Sequence, residues 1–347
     1  MTMPDVTVRG AGILGLSIAW ACVSRGARVQ VIDPFGVGSG SSGGVVGALA
    51  PHTPENWNPK KAFQLESLLM AETFWDQVEQ TGGVSSGYGR TGRIQPVPDA
   101  RALNLARARE TGARTLWPDP AVWSVVQRQD SWAPESPTGY YIHDTLSARL
   151  HPKQACLALG TAITARGGTI STEGTDQGQM IWAAGVQGLQ RLNEEFGKPV
   201  GSAVKGQAAV LRLRHQPEPD APQIFAGTVH IVPHADGSVA VGSTSERDFD
   251  DPTGTDAQLD ALIARATAAV PALKGATIDQ RWAGLRPRAR SRAPMIGPHP
   301  LHPNQFIANG GFKIGFGVAP KISQVMADLV LEGIDTVPPD FRPDASL

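Results

Sequence analysis

The 347-residue sequence predicts an α/β protein (α+β overall), with one domain built on a parallel sheet and a second domain that contains an antiparallel sheet. Residues 6–33 carry a strand, a glycine-rich turn, a helix and a second strand, which is the pattern of a parallel βαβ unit. Residues 203–247 instead show alternating strands separated by turns. Because 305–309 reads as a further strand before a last helix, we expect the parallel domain to be discontinuous.

The remaining elements follow from apolar periodicity and from glycine and proline breakers. Helices are predicted at 13–24, 60–82, 99–112, 152–167 and 256–270, and strands at 27–32, 93–98, 169–172, 179–185, 208–213, 227–233 and 238–244. The last helix is expected to begin near Pro320, a favoured first helical residue, and to end before Gly333. Residues 336–347 are rich in proline and charge and are expected to form a surface tail.

Composition and charge speak against several classes of protein. Lys plus Arg number 31 and Asp plus Glu 32, a balance that argues against a nucleic-acid partner. No apolar run approaches the ~18 residues of a transmembrane helix. The N-terminus does not resemble a signal peptide, so we expect a cytoplasmic location. Two cysteines, Cys22 and Cys156, are too few for a disulfide scaffold or a cysteine-based zinc site.

The βαβ unit carries a nucleotide-binding motif. Gly10, Gly12 and Gly15 match G-x-G-x-x-G between a strand and a helix, as in a Rossmann-like fold. Gly10 permits the tight turn, Gly12 lets the backbone approach a pyrophosphate, and Gly15 lets the helix pack closely on the strand. The helix N-terminus favours anions. Asp33, at the end of the second strand, can accept hydrogen bonds from a ribose. The motif predicts dinucleotide binding but leaves NAD and FAD open.

A glycine- and serine-rich stretch, residues 36–50, follows this unit and leads into the apolar segment from Val45 to Pro51. Such a composition is typical of a flexible linker. Because the stretch comes directly after the second strand, we instead expect ordered backbone close to a ligand.

The C-terminal half carries the motifs that distinguish the two cofactors. Residues 282–287 read WAGLRP, 294–298 read PMIGP and 306–315 read FIANGGFKIG. Together with Gly10–Asp33, Gly47–Pro51, Lys205–Gln207, Ile231–Pro233 and Val241–Thr244, they resemble the D-amino acid oxidase family of flavoproteins, and most closely its glycine oxidase branch. The matches lie in the family's order over nearly the whole chain.

The resemblance implies FAD as the cofactor. Family members with covalent flavin use a cysteine late in the chain, whereas Cys22 and Cys156 lie early, in predicted helices, and are expected to be small buried residues. Non-covalent FAD is therefore expected. Its implied contacts are Gly10, Gly12, Ile13, Leu14, Gly15, Asp33, Pro34, Ser41, Ser42, Gly47, Ala48, Leu49, Ala184, Gly185, Arg286, Gly310, Gly311, Phe312, Lys313, Ile314 and Gly315. The helix from Pro320 would direct its positive end at the flavin N1/O2 side.

The resemblance also implies a division into domains. Residues 1–52, 145–200 and 281–347 would form the FAD-binding domain, and residues 53–144 and 201–280 the substrate-binding domain, whose antiparallel sheet lies over the flavin ring.

Arg286 is the implied substrate-binding residue, because the arginine of this motif binds the substrate carboxylate in the family. A structural ion pair is the alternative, and further arginines crowd the region, at positions 281, 288, 290 and 292. Two residues depart from glycine oxidases: His230 replaces a tyrosine, and Lys313 replaces a second arginine. His230 can contact the carboxylate when protonated or act as a base. His52, after Ala50-Pro51, is a further candidate by position only.

The implied reaction is oxidation of the C–N bond of an amino acid or related amine, by hydride transfer to flavin N5 and hydrolysis of the resulting imine. It needs no metal and no Ser-His-Asp set. Oxygen or another compound would accept the electrons, and a homo-oligomer is left open. A flavin monooxygenase of the aromatic-hydroxylase type is disfavoured, since Asn309-Gly310 replaces its late Gly-Asp motif. An FAD-dependent 2-hydroxy acid or other C–O dehydrogenase, and a non-catalytic FAD-binding subunit, remain as alternatives.

Overall fold

The computed structural model describes residues 3–347, and its strands form three sheets. The strands are β1 (Val6–Arg9), β2 (Val29–Ile32), β3 (Ala48–Leu49), β4 (Arg93–Pro96), β5 (Trp123–Gln127), β6 (Tyr140–Asp144), β7 (Ala148–Arg149), β8 (Thr169–Ser171), β9 (Gln179–Trp182), β10 (Gly201–Arg212), β11 (Gln223–Ala226), β12 (Val229–Pro233), β13 (Val239–Gly242), β14 (Thr277–Ala289), β15 (Met295–Pro298) and β16 (Gln305–Asn309). The helices are α1 (Ile13–Ser24), α2 (Pro59–Gly82), α3 (Ala100–Leu116), α4 (Pro152–Ala165), α5 (Gly185–Glu195), α6 (Ala257–Ala269) and α7 (Gly315–Glu332).

The first sheet has the order β15-β16-β9-β1-β2-β8 and is parallel except for β15. It confirms the predicted Rossmann-like unit, since β1, α1 and β2 follow one another and β1 lies in the middle of the sheet. Helix α1 is buried almost throughout, which is why its sequence is apolar on every side. Helices α4 and α7 pack against α1, and α2 packs against both of them.

The second sheet has the order β14-β10-β13-β12-β11-β4-β6-β5 and is antiparallel except where β11 runs parallel to β4. It confirms the predicted antiparallel block and extends it by β14 on one side and by β4, β6 and β5 on the other. Helix α6 covers one face with a core of aliphatic side chains. The expected domain boundary at 281 falls inside β14, which pairs with β10 in this sheet. The third sheet is the pair β3 and β7.

The predicted start of the last helix is wrong. Helix α7 begins at Gly315, and Pro320 lies inside it. Proline removes one backbone donor, and the N–H of the following Lys321 donates to Ser67 Oγ on α2 at 3.1 Å. Packing of α7 on α2 therefore allows Pro320 to lie inside the helix, although the sequence pattern indicates that a helix begins there.

The predicted surface tail is also wrong. Phe341 is 2% exposed and packs on Phe63 of α2, with the two ring centroids 4.7 Å apart. Val337 is buried beside it in the same core. Apolar residues in a proline-rich segment are thus enough to hold the last residues against the first domain. No helix within residues 3–347 is long and apolar enough to cross a membrane.

Candidate active site

The glycines after β1 allow three backbone segments to meet. Gly10 has a φ of +119°, and a Cβ there would lie 2.4 Å from the carbonyl oxygen of Ala183, at the end of β9. A Cβ on Gly15 would lie 2.0 Å from the carbonyl oxygen of Gly10. Gly12 differs, because its Cβ would meet only the hydroxyl of Ser42, at 3.2 Å. Gly10 and Gly15 therefore serve packing, while Gly12 leaves open space before α1.

The N-terminus of α1 faces that space. No side chain caps it at Gly12, and its first turn carries no acidic residue. The N–H of Ile13 donates to Ser42 Oγ at 3.0 Å, which places the serine-rich turn against the helix. Asp33 accepts hydrogen bonds from the N–H groups of Ala11 and Phe35, at 2.7 and 3.0 Å, and keeps further acceptor capacity. Backbone donors and one carboxylate are thus collected at the ends of β1 and β2.

The glycine- and serine-rich stretch is ordered and lies between the two main sheets. Its Ser41–Gly43 part forms a 3₁₀ turn. Val45 and Val46 pack with Trp282 of β14 and with two residues of β10, Ala208 and Val210. This agrees with the expectation of ordered backbone rather than a linker.

The segment from Gly47 to His52 is held by hydrogen bonds from the flanking elements. Leu150 N donates to Gly47 O at 3.0 Å. The buried Gln223 donates to Leu49 O at 3.0 Å. Gln64 on α2 donates to Ala50 O at 3.2 Å and accepts from His52 N at 3.0 Å. The backbone of this segment is thereby fixed on both sides.

The turn from Gly310 to Gly315 closes over the start of α1. A Cβ on Gly311 would lie 3.6 Å from Leu14 Cδ1, and a Cβ on Gly315 would lie 3.6 Å from Ile13 Cγ2. The N–H of Phe312 donates to Pro287 O at 3.0 Å, which joins the turn to β14. The structure thus brings together residues that the sequence separates by about three hundred positions.

Arg286 lies on the face of β14 next to this turn, and its side chain is buried, with 8% of the residue exposed. Its Nη2 donates to Ser243 Oγ at 2.6 Å, and both terminal nitrogens lie 3.3 Å from Thr244 O. A Cβ on Gly206 would lie 1.6 Å from Nη2. The glycine therefore makes the space that the guanidinium occupies.

No carboxylate among the described residues lies within ion-pair distance of Arg286. Its partners are a hydroxyl and a carbonyl, and burial lowers the pKa of its guanidinium to about 10, with the charge of Glu246 acting in the opposite direction. Glu246 itself pairs with Lys205 at 3.7 Å and accepts hydrogen bonds from Gln207 and Thr244. Arg286 is thus a buried cation whose charge is not neutralised by the protein.

Two more predicted residues belong to this region: Lys313 is near enough to Arg286 for their charges to interact, and His230 pairs with Gly242, the residue before Ser243. Burial, and then the positive charge of Arg286, lower the pKa of Lys313. Burial, together with the charges of Arg93 and Lys313, lowers the pKa of His230 to about 4, so its imidazole is neutral near pH 7. Its Nδ1 is buried without a hydrogen-bond partner. A neutral imidazole is a poor contact for a carboxylate, and a pKa this low makes it a weak base.

Other predicted residues are placed as follows. Ala184 and Gly185 follow β9 and stand beside Gly10, and Gly185 O accepts from Asn309 Nδ2 at 2.8 Å. Pro34 and His52 are exposed. His52 is bound to Gln64, and no hydrogen bond among residues 3–347 joins its side chain to Arg286.

Comparison with known proteins identifies the family to which the chain belongs. A family model described as FAD-dependent oxidoreductase matches residues 5–329. The protein belongs to this family of FAD-dependent oxidoreductases. The predicted resemblance to D-amino acid oxidases is thereby confirmed, and FAD is the cofactor.

Relatives agree with this assignment. Glycine oxidase of Pseudomonas putida is 29% identical over 99% of both chains. The bifunctional protein ThiO/ThiG of Synechocystis is 28% identical over 95% of this chain and 52% of that protein. The chain therefore spans about half the length of the bifunctional relatives that it matches. The crystal structure of glycine oxidase from Geobacillus kaustophilus has a TM-score of 0.84 at 21% identity, covering 98% of each chain, and shows the same fold.

The residues of this flavoprotein fit FAD in two respects that the structure shows. Gly12 supplies no side-chain cap to α1, and although the N–H of Ile13 donates to Ser42, the start of the helix leaves room for a diphosphate. The two cysteines are buried in α1 and α4, and burial raises the pKa of each thiol to about 12, which agrees with non-covalent binding.

Sequence reasoning missed the residues that hold this site in shape. Ser243 and Thr244 hold Arg286, Glu246 and Gln207 stand behind Thr244, and Gln64 and Gln223 fix the segment after Gly47. The quoted matches around 205–207 and 241–244 were the only available signal. Their role depends on the pairing of β10 with β13, which brings the two segments together.

Proposed function

We propose that the protein oxidises the C–N bond of an amino acid or related amine and that Arg286 binds the substrate carboxylate. The observation that supports this most strongly is a buried guanidinium that has no acidic partner among residues 3–347. Burying an unpaired charge costs several kcal/mol, so a buried arginine of this kind is expected to bind an anionic group of a ligand. An arginine fork offers two parallel hydrogen bonds to a carboxylate.

Relatives support the same substrate class. The names of similar proteins include glycine oxidase, iminodiacetate oxidase and L-amino acid deaminase. We propose the FAD contacts and the two domains as predicted above from the family resemblance. Of the predicted substrate residues, we retain Arg286 and Lys313 as cations at the site and His230 as a neutral neighbour, and we give His52 no role.

The chain's own residues do the positioning. FAD, when bound, supplies the acceptor for a hydride from the substrate α-carbon. Arg286 would hold the carboxylate and so limit rotation of that carbon. The positive charge of Lys313 beside Arg286 disfavours a charged substrate ammonium and favours the neutral amine that the reaction requires. The side chains of His230 and Phe225, with ring centroids 4.7 Å apart, would form an apolar wall.

The test is anaerobic mixing of the FAD-loaded protein with a panel of amines, amino acids and 2-hydroxy acids. Bleaching of the flavin band near ~450 nm by amino compounds supports the proposal. Bleaching by 2-hydroxy acids alone would replace it with C–O oxidation, and no bleaching by any compound would favour a non-catalytic subunit. Air admitted afterwards shows whether oxygen reoxidises the flavin.

Arg286→Ala tests the proposed role of this arginine. We expect FAD content to be retained and kcat/KM for carboxylate-bearing substrates to fall on the order of 10²-fold, because a charge-assisted bidentate contact is lost. Arg281→Ala is the matched control, since Arg281 lies on the same strand but pairs with Asp260 at the surface. Equal kinetics for both variants would remove Arg286 from the site.

A further inference from the structure

A surface groove at the end of β14 is lined by four arginines, Arg247, Arg288, Arg290 and Arg292. Gly201 and Ser202 of β10 belong to the same lining, which contains no acidic residue. The cavity has a volume of about 580 Å³, which is within the range of small-molecule sites. We call it the arginine groove.

The charges of the arginine groove are unpaired in the described part of the chain. Arginines on the neighbouring part of the same sheet have acidic partners: Arg281 pairs with Asp260 and Arg212 with Asp279. None of the four groove arginines has a carboxylate within ion-pair distance among residues 3–347. In a chain of net charge −1, this is a local concentration of one sign. Clustered like charges repel one another unless an anion lies between them.

The backbone holds the arginines in place. Arg288 stands opposite Ser202 in the β10–β14 pairing. The N–H of Arg290 donates to Val200 O at 2.8 Å, and the N–H of Arg292 donates to Ala289 O at 3.1 Å. Cationic side chains are thus presented from a fixed frame of two paired strands and a turn, which reduces the entropy lost when a ligand binds.

The groove is distinct from the Arg286 site but is joined to it through Arg288. Arg288 forms a backbone bridge with Gly311, and its guanidinium lies 5.6 Å from the ring centroid of Phe312. Arg286 is buried and does not line the groove. The FAD diphosphate is assigned to the start of α1 and so does not account for the groove.

We propose that the arginine groove binds a small molecule carrying a phosphate ester or diphosphate. Planar guanidinium forks match phosphate oxygens in pairs, and several of them together suit a ligand with two or more negative charges. The volume of the groove favours a small molecule over an extended polyanion. This proposal goes beyond the oxidation proposed above and does not depend on it.

The test is calorimetric titration of the FAD-loaded protein with inorganic pyrophosphate at low ionic strength. We expect saturable binding at one site per chain, weakened at least tenfold in the double variant Arg290→Ala/Arg292→Ala. Both residues are exposed, so the variant is expected to fold and keep its FAD. The double variant Arg101→Ala/Arg114→Ala is the matched control, because it removes two exposed arginines from helix α3. Its affinity should stay within twofold of the parent protein.

Two further titrations distinguish the ligand class. Arg290→Lys/Arg292→Lys keeps the charge and loses the fork, so it should bind pyrophosphate more weakly than the parent protein. Citrate has comparable charge and no phosphorus and should bind at least tenfold more weakly than pyrophosphate. Absence of saturable pyrophosphate binding, an equal loss in the α3 control, or tighter binding of citrate, an oligonucleotide or an acidic peptide would each overturn the proposal. None of these results depends on substrate oxidation.

Discussion

The guanidinium of Arg286 lies in a place where water is largely excluded, and it fits there because Gly206 has no side chain. A Cβ on Gly206 would lie 1.6 Å from its Nη2, so only glycine leaves room for the guanidinium. Ser243 and Thr244 then orient it, while the pair of Lys205 and Glu246 sits behind Thr244. The residues around Arg286 fix the position of its guanidinium through neutral oxygen atoms and do not neutralise its charge.

Gly206→Ala should displace Arg286 without removing it. We expect KM for carboxylate substrates to rise at least tenfold while FAD content stays unchanged, because the added methyl group occupies the place of Nη2. Steady-state kinetics and flavin absorbance measure both. Gly160→Ala in α4 is the control, since its Cβ would make only ordinary contacts, the nearest at 3.5 Å. Unchanged KM in Gly206→Ala would contradict the assigned position of the guanidinium.

His230 links the site to stability. Its pKa is about 4 in the folded protein, against an ordinary value of 6.5. The unfolded chain therefore binds more protons between these values, and the free energy of unfolding falls as the pH drops through that window. His230→Phe should reduce this fall by on the order of 2 kcal/mol, measured by urea unfolding near pH 4.5 and 7.5. His215→Phe, at an exposed position, should leave this fall unchanged. An equal effect of the two substitutions would refute the lowered pKa of His230.

At the scale of elements, the turn between β1 and α1 contains two glycines that serve packing and one, Gly12, that we propose serves FAD binding. Gly10 and Gly15 face backbone oxygens at 2.4 and 2.0 Å from where a Cβ would stand, whereas Gly12 meets only a serine hydroxyl. In this three-glycine motif, two positions therefore need glycine for close backbone packing, and one needs it to keep space open before the helix.

Gly12→Val should give a folded protein without FAD, because the new side chain fills the space before the helix N-terminus. Gly15→Val should instead destabilise the fold itself, since it meets the carbonyl of Gly10. Circular dichroism reports folding, and the absorbance ratio of flavin to protein reports FAD. A yellow Gly12→Val protein with full flavin content would contradict this separation.

At the scale of the whole molecule, the two sheets meet along segments from distant parts of the chain. The stretch from Val45 to Leu49 packs between them, and the turn from Gly310 to Gly315 joins β14 to the start of α1. Because Cys22 and Cys156 are both buried in helices, the cofactor is expected to be held by contact and not by a covalent bond.

Acid or heat denaturation should release all flavin into the filtrate as FAD. The two cysteines are buried, and burial raises the pKa of each thiol to about 12, so neither should react with a thiol reagent until the protein unfolds. Absorbance of filtrate and pellet, with thiol titration before and after denaturant, measures both. Flavin that stays with the polypeptide would contradict non-covalent binding.

The local patterns were sufficient for most elements. Helix α2 at Pro59–Gly82 and α4 at Pro152–Ala165 lie where periodicity placed them, because each has an apolar face and clear breakers. Pro320 and Phe341 show the limit: one lies inside a helix and the other in the core, since contacts with α2 outweigh the local preference of proline.

By itself, the sequence determined the parallel βαβ unit, because that unit depends on residues at short, fixed spacings. The family and FAD followed from the resemblance of motifs that lie in order over nearly the whole chain. Only the tertiary structure decided that Arg286 has no carboxylate partner in the described part of the chain, that His230 is neutral near pH 7, and that four other arginines share one groove. The physical reason is that charge pairing and desolvation depend on distances between residues far apart in the chain, and no local pattern records those distances.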